Sequence, residues 1–370
     1  MAVERIARRL VLTTRGGHKR ETNDDETVFA SLGDRPGEVV ASSLRVGDFL
    51  GIRYAGYNWP TQPASLPELP YRKRYGSEKA VVLPAAMTAE LAFLLGAYAS
   101  EGHTNRANWS VTVTNSVPHV LKRVQAAWSS CFDLTSRLTQ RADRCADVVA
   151  SSKRLVEFLE LLGCGSRASN KTIPEVVMTS TREHVLAYLQ GLALDGYTSN
   201  TGAGKWAICL ESRRAINSLQ ELLTRLGIVN AQIDKLNRKV GKTYPELYAA
   251  GPWGQELCRL VPFLEPDKAA RASKFVERVY TGMSAADVIP GISGRELYQL
   301  IPRGRSGRNG RGTGRQQFAY LMDARTRHVS RASVVRLREV NGVELPEWLE
   351  SVLDESVHFA PLISIETRDY

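Results

Sequence analysis

The chain has 370 residues, enough for two or three domains with a sizeable core, and at 43% hydrophobic and 24% charged it has the composition of a soluble globular protein. Lys and Arg outnumber Asp and Glu by 49 to 39, and the net charge of +10 is compatible with a polyanionic partner. No apolar run reaches the roughly 18 residues that a membrane span needs, and no apolar signal-peptide core follows Met1. The five cysteines (Cys131, Cys145, Cys164, Cys209, Cys258) lack C-x-x-C spacing, so neither a disulfide frame nor a zinc site is indicated and an intracellular, reducing setting is expected.

Residues 1–57 read as short strands with turns: Arg9–Thr14, Thr27–Ala30 and a β-branched run from Val39 to Ile52. Residues 58–84 are rich in Pro, Tyr and basic residues, which disfavours helix and predicts a connector whose Arg72, Lys73 and Arg74 could lie along a phosphate backbone. Two stretches then echo each other, Leu94-Leu95-Gly96-Ala97-Tyr98-Ala99-Ser100-Glu101-Gly102 and Tyr188-Leu189-Gln190-Gly191-Leu192-Ala193-Leu194-Asp195-Gly196. Each is an apolar helical run ending in one carboxylate and a glycine stop. An acid at the negative end of a helix is disfavoured unless a cation sits beside it. Small residues would let two such helices lie side by side, so that Glu101 and Asp195 converge as oxygen ligands for a divalent metal.

The pattern after each acid repeats. In the first half an alternating strand over Asn108–Asn115 leads to an amphipathic helix from Pro118 to Phe132. Strands at Arg137–Arg141 and Cys145–Val149 follow, then a helix from Lys153 to Leu162. In the second half come a strand at Lys205–Glu211, a helix from Ala215 to Leu226 and a hairpin of Ala231–Lys239 with Tyr244–Ala250. Trp109 and Trp206 fall 8 and 11 residues after their acids, which reads as duplication. Residues 281–340 repeat nothing earlier. They hold an Arg/Gly run with Arg303, Arg305, Arg308, Arg311 and Arg315, which lacks apolar partners and is expected to order against an anion such as DNA phosphates or a minor groove.

The two stretches resemble the LAGLIDADG motif of homing endonucleases. Gly96, Ser100, Glu101 and Gly102 fall where that motif has Gly, Ala, Asp and Gly; in the second copy Gln190 stands at the third position and Gly191 lies one place late. The resemblance implies an α+β fold: a pseudo-twofold duplicated αββαββα core over residues 85–280, with halves of about 85–169 and 170–280, whose two antiparallel sheets form a DNA-binding saddle. It further implies a monomeric, Mg²⁺-dependent hydrolase that makes a double-strand break in a long asymmetric duplex, with Mn²⁺ or Ca²⁺ substituting for binding. Glu101 and Asp195 would be the metal ligands, assisted by the backbone of Ser100 and Leu194. Asn170-Lys171-Thr172-Ile173-Pro174 resembles the Lys-x-Ile-Pro segment before the second motif of intein endonucleases, which assigns Lys171 a place near the metal, with Lys268 as its pseudo-symmetric counterpart and Lys274 as the fallback.

Polar residues on the strands supply the candidate DNA face. In the first half these are Asn105, Arg106, Asn108, Ser110, Thr112, Thr114, Arg137, Thr139 and Arg141; in the second, Thr198, Asn200, Lys205, Lys235, Asn237, Arg238 and Lys239.

Ala41-Ser42-Ser43-Leu44-Arg45-Val46-Gly47-Asp48 and Pro361–Glu366 resemble segments of an intein's splicing domain, so residues 1–57 with 341–370 are expected to form a Hint-like β-domain. Thr22-Asn23-Asp24-Asp25 sits where inteins carry Thr-x-x-His. With Asp25 in place of that histidine, and neither an initial nucleophile nor a terminal His-Asn pair, the scaffold is expected to lack splicing chemistry. The resemblance places the protein in the cytoplasm of a microbial or phage-infected host, as part of a mobile genetic element. Two other classes stay open: a LAGLIDADG-type DNA- or RNA-binding maturase or regulator that has lost cleavage, favoured by the irregular second motif, and a self-splicing element.

Overall fold

The structure, a computed structural model, describes residues 8–70, 81–140, 145–238, 240–279, 287–302, 314–323, 328–339 and 343–368. It divides into two units, Tyr57–Arg278 and Met1–Gly56 with Val279–Tyr370.

The chain opens with β1 (Arg9–Thr14), β2 (Lys19–Asn23), β3 (Thr27–Ser31), β4 (Gly37–Val40) and β5 (Phe49–Arg53). The single run expected from Val39 to Ile52 is broken by a 3₁₀ turn at Ala41–Ser43 and by a tight turn in which the Arg45 N–H donates to Asp48 Oδ2 at 2.7 Å. Of the connector that follows, residues 57–70 and 81–84 are described and are held down. Leu66 N–H donates to the Ala85 carbonyl and Arg154 to the Pro70 carbonyl. Arg72, Lys73 and Arg74 lie outside the described residues.

The Tyr57–Arg278 unit carries the duplication. Its first half runs α1 (Ala89–Glu101), β6 (Gly102–Asn105), β7 (Ser110–Asn115), α2 (Pro118–Phe132), β8 (Arg137–Gln140), β9 (Ala146–Ser151) and α3 (Lys153–Leu161). After a short α4 (Glu175–Met178), the second half runs α5 (Arg182–Leu192), a 3₁₀ turn at Ala193–Asp195, β10 (Tyr197–Ser199), β11 (Lys205–Cys209), α6 (Arg213–Arg225), β12 (Ala231–Asn237), β13 (Lys242–Ala250), α7 (Gly251–Leu260) and α8 (Pro266–Val276). Each half forms a four-stranded antiparallel sheet, in the matching orders β6-β7-β9-β8 and β10-β11-β13-β12.

Local chemistry starts the helices where they start. Thr88 caps α1 by accepting the Leu91 N–H, Thr181 caps α5 through His184 N–H, and Ser212 caps α6 through Ala215 N–H. From Leu91 to Ala99, α1 is buried on every side, which is why its run shows no polar stripe. By contrast α6 is amphipathic and buries only Ala215, Ile216, Leu219, Gln220, Leu222 and Leu223. The short strands β6 and β10, which follow the acids directly, were not visible as strands in the sequence.

Strand register corrects one sequence inference. Thr198 pairs with Trp206 in the second sheet as Thr104 pairs with Val111 in the first, so the structural counterpart of Trp206 is Val111. Trp206 is buried in the core, whereas Trp109 sits in the β6–β7 turn at φ 50°, with the cations of Arg106 and Lys153 over its ring. The duplication rests on sheet order, and the tryptophan spacing was coincidental.

The chain ends with β14 (Val288–Ile289), α9 (Gly294–Gln299), a 3₁₀ segment at Gly314–Met322, β15 (Val329–Ser330), α10 (Arg331–Arg338), α11 (Glu347–Asp354) and β16 (Val357–Arg368). These strands join the N-terminal ones in a sheet ordered β15-β14-β16-β5-β3-β4, with β1 bonded to β16 and to β2. The described part of 281–340, expected as a separate extension, belongs to this unit. Its Ile289, Leu297, Phe318 and Leu337 share a core with Val357 and Phe359. The abundance of Arg and Gly in that segment had obscured its apolar positions. Arg331 is turned inward, donating to the Val352 carbonyl at 2.8 Å and pairing with Asp287 at 3.3 Å.

The motif helices α1 and α5 cross with almost no space between their backbones. A Cβ on Gly96 would lie 2.0 Å from the Tyr188 carbonyl oxygen, and one on Gly191 would lie 2.1 Å from that of Phe93. Gly96→Ala and Gly191→Ala should therefore each cost about 3 kcal/mol, because backbone must separate to admit a methyl group. Urea unfolding of each variant measures this; a loss below about 1 kcal/mol would contradict the contact.

Candidate active site and nucleic-acid interface

Each motif acid lies where a motif helix gives way to a strand. Glu101 is the last residue of α1 and precedes β6; Asp195 ends the 3₁₀ turn and precedes Gly196 and β10. The late glycine of the second motif is explained by that turn. From Gly96 to Glu101 is five α-helical steps, about 7.5 Å of rise at 1.5 Å each. From Gly191 to Asp195 is only four steps, but the 3₁₀ part rises about 2.0 Å per residue and restores most of the length. Gly191 thus packs against Phe93 and Ala97 as Gly96 packs against Tyr188 and Leu192. Ser100 seals the crossing, its hydroxyl lying 3.2 Å from the Ala97 carbonyl and 3.3 Å from that of Gly191.

Glu101 senses the charge of Asp195. Burial, and then the Asp195 charge, push Glu101 up to about 7, with Lys268 opposing the rise. Asp195 is also raised, first by burial; Lys268 again opposes and Glu265 adds to the effect. Its side chain is nonetheless exposed to solvent. Two helix C-termini add partial negative charge at the same place. The result is unbalanced negative charge on hard oxygen donors, which suits an oxygen-preferring divalent cation. No group of three His, Cys, Asp or Glu side chains that could hold a metal occurs among the described residues.

The two candidate lysines differ. Lys171 is buried, its ammonium donating to the Tyr98 carbonyl at 2.8 Å and lying over the Tyr98 ring, and burial pushes it down to about 7. It caps the C-terminal end of α1 and does not figure among the charges acting on either acid. Lys268, on α8, donates to the Leu194 carbonyl at 2.5 Å and to Glu265 Oε1 at 2.9 Å, and its charge acts on both acids. The Leu194 carbonyl, expected as a backbone ligand, is thereby engaged. Lys274 lies on α8 as well, with no contact to the acids recorded among the described residues. Glu265 escaped sequence reasoning because nothing in Phe263-Leu264-Glu265-Pro266 marks it except proximity to Lys268.

The sheets present their polar residues unevenly. Asn105, Arg137 and Thr139 are exposed, Ser110 and Thr112 are buried, and Thr114 donates to Asp147 at 2.7 Å. Arg106 covers the Trp109 ring and pairs with Glu160 at 3.6 Å, while Asn108 accepts from Ser110 at 2.6 Å. In the second sheet Thr198 shares the core-side row of Trp206. The Asn200 carbonyl accepts from Arg278, and Asn237 and Arg238 are exposed. Lys205 and Lys235 both bond to the fully buried Glu246. Arg315 lies over the Tyr298 ring in the other unit. Arg141, Lys239, Arg303, Arg305, Arg308 and Arg311 lie outside the described residues.

Because Glu101 binds its proton more tightly folded than unfolded, stability is greatest below pH 4.5 as far as this group is concerned, and it falls as pH rises from 4.5 to about 7. The loss should be on the order of 3 kcal/mol in the absence of divalent cations. Thermal melts across pH 4–8 should show this decline in the parent chain, a flatter profile in Glu101→Gln, and recovery at pH 8 on adding Mg²⁺ or Ca²⁺.

Comparison with known proteins bears on what this arrangement is. Residues 88–163 match the family model described as a LAGLIDADG-like domain. Among curated proteins, the replication factor C small subunit of Methanocaldococcus jannaschii is 29% identical over 159 residues, which is 42% of this chain and 8% of that protein. The replication factor C small subunit of Thermococcus kodakarensis is 27% identical over 212 residues, covering 56% and 23%, and a DNA polymerase of Thermococcus litoralis is 28% identical over 151 residues, covering 38% and 8%. The chain therefore spans less than a quarter of the length of these relatives. Among solved structures, a set of mesophilic variants of the homing endonuclease I-DmoI aligns at 16% identity over 50% of this chain and 97% of that one, with a TM-score of 0.36. Full-length DUF199/WhiA from Thermatoga maritima aligns at 12% identity over 72% and 86%, also at 0.36. No described helix is long and apolar enough to cross a membrane. By motif and by family model, residues 88–163 of this chain are similar to a LAGLIDADG-like domain.

Proposed function

We propose that the chain is a metal-dependent, site-specific DNA endonuclease that acts as a monomer. The observation that carries this reading is the pair of charge-coupled carboxylates, Glu101 and Asp195, at the ends of two helices locked together by Gly96 and Gly191. The two antiparallel sheets that begin directly after these acids supply the second support, since a β-ribbon fits the width of a duplex major groove.

Glu101 and Asp195 would hold the cation. When bound, it supplies Lewis-acid stabilisation of a phosphodiester and lowers the pKa of water. The remaining roles fall to side chains of this chain. Lys268, fixed by the Leu194 carbonyl and Glu265, places a positive charge beside the acids, where it can offset negative charge growing on a phosphate. Lys171 holds the end of α1, and with it Glu101, in place through the Tyr98 carbonyl. Ser100 and the glycine contacts keep the two acids from drifting apart. In this reading Mg²⁺ is the working ion, with Mn²⁺ or Ca²⁺ able to occupy the site. The other unit, in which β16 bonds to both β1 and β5, is read as a splicing-type scaffold whose two segments flank the endonuclease in the sequence. The curated relatives, matched over a small part of long replication proteins, are compatible with an inserted element.

Incubating the protein with a randomised duplex library and Mg²⁺ should yield discrete double-strand breaks at one long site. Glu101→Gln and Asp195→Asn should each abolish cutting by at least about 1,000-fold while leaving binding in place. Tight binding without cutting by the parent chain would instead make it a DNA-binding regulator. Lys268→Met should lower the cleavage rate by about 100-fold, and Lys171→Met should act mainly by lowering the melting temperature. Equal effects of the two lysines on rate, at unchanged stability, would overturn this division of roles.

A further inference from the structure

The open face of the second sheet contains a charge cluster that sequence reasoning did not find. Glu246 lies in the inner strand β13 and its side chain is completely buried. Three donors converge on it. The Lys205 ammonium reaches it from β11, Lys235 donates from β12 at 2.8 Å, and the Tyr197 hydroxyl donates from β10. Lys235 also donates to the Tyr197 oxygen at 2.7 Å. The ammonium of Lys205 lies over the rings of both Tyr197 and Tyr248. Burial alone would raise the Glu246 pKa, but the bonds from Lys205, Lys235 and Tyr197 outweigh it and hold the carboxylate ionised.

Such a network fixes two cations that would otherwise wander on four-carbon stems. An ammonium has three N–H donors. Lys235 spends two on Glu246 and Tyr197, and Lys205 spends one on Glu246, so both keep donors for a ligand. Two ammonium charges against one carboxylate leave a net +1, so the carboxylate offsets part of the attraction for a phosphate, while the fixed N–H donors can serve a neutral ligand with adjacent acceptors. Among base edges in the major groove, only guanine offers two acceptors side by side, O6 and N7. The cluster spans all four strands of the sheet, with Glu246 and Lys205 on the two inner strands and Tyr197 and Lys235 on the two edges.

The first sheet differs at the equivalent places. By register, Ser110 stands where Lys205 does and Asp147 where Glu246 does, and Asp147 accepts from Thr114. The two halves therefore offer different chemistry on faces of the same topology.

We infer that Glu246 is a positioning residue that presents Lys205 and Lys235 as a guanine-reading pair in the second half of the binding face. The inference rests on the reading of the chain as a DNA-binding protein. Glu246 touches no base itself; it acts by holding the two donors.

Selection of bound duplexes from a randomised library, in Ca²⁺ to prevent cutting, tests it. The parent chain should select one invariant guanine, and Glu246→Gln should lose that preference at that position only. Affinity for the selected duplex should fall about tenfold or more, with other positions unchanged. Lys205→Met and Lys235→Met should each weaken the same position, and they decide the matter if Glu246→Gln does not fold, as judged by its melt. An unchanged guanine preference in folded Glu246→Gln and in both lysine variants would overturn the inference while leaving DNA binding intact. So would a uniform loss of affinity across sequences with a shallower salt dependence, the mark of phosphate contacts. Failure of the parent chain to bind any duplex would remove the DNA-binding reading and this inference with it.

Discussion

The distance between α1 and α5 governs the rest of this unit. Two helices approach this closely only where neither carries a side chain at the crossing, and Gly96 and Gly191 meet that condition by facing the opposite backbone at 2.0 and 2.1 Å from an imagined Cβ. Everything that gives the site its chemistry follows from that approach. The acids stand at neighbouring helix ends, the Asp195 charge helps raise the Glu101 pKa, and a sheet starts after each acid. A wider crossing would leave two ordinary surface carboxylates with ordinary acidity.

The unit meets the electrostatic cost of that arrangement asymmetrically. Lys171 neutralises the end of α1 from within the core, through a carbonyl, and loses much of its own basicity to burial. Lys268 stays partly open beside the acids and shares its charge with Glu265. Two helices related by approximate symmetry are thus served by lysines doing different things. The open faces follow the same rule: one centres on a buried glutamate with two lysines, the other on an aspartate bonded to a threonine. A protein with unequal halves is suited to an asymmetric partner, which a twofold-symmetric dimer could not match.

The features legible in the sequence were those with a short-range cause. Helices α2, α3 and α6 announced themselves by apolar periodicity, α1 by its unbroken apolar run, and both acids by the glycine that follows them. What escaped was set by pairing across the fold. Trp206 and Trp109 looked equivalent by spacing, yet register pairs Trp206 with Val111 and leaves Trp109 in a turn. The displaced Gly191 looked like a defect until the 3₁₀ turn at Ala193–Asp195 accounted for it. Glu246 and Glu265 carry no local signature, because their partners come from other strands and helices. Ser110 and Thr112 read as outward residues from polarity alone but are covered in the sheet.

The placement of β16 has a consequence for how the chain comes into being. Residues 57–278 are contiguous, so that unit has all its parts once the ribosome has passed Arg278. The sheet of the discontinuous unit does not. Strands β1 and β5 emerge early but bond to β16, which is made only after residue 356, so they must wait for nearly the whole chain. Domains generally fold as units during synthesis, the earlier ones first. Here the order is inverted: the contiguous unit can fold while β1 and β5 still have an unpaired edge, open to wrong partners until β16 arrives. The vulnerable period of this protein's life on the ribosome therefore belongs to its discontinuous unit.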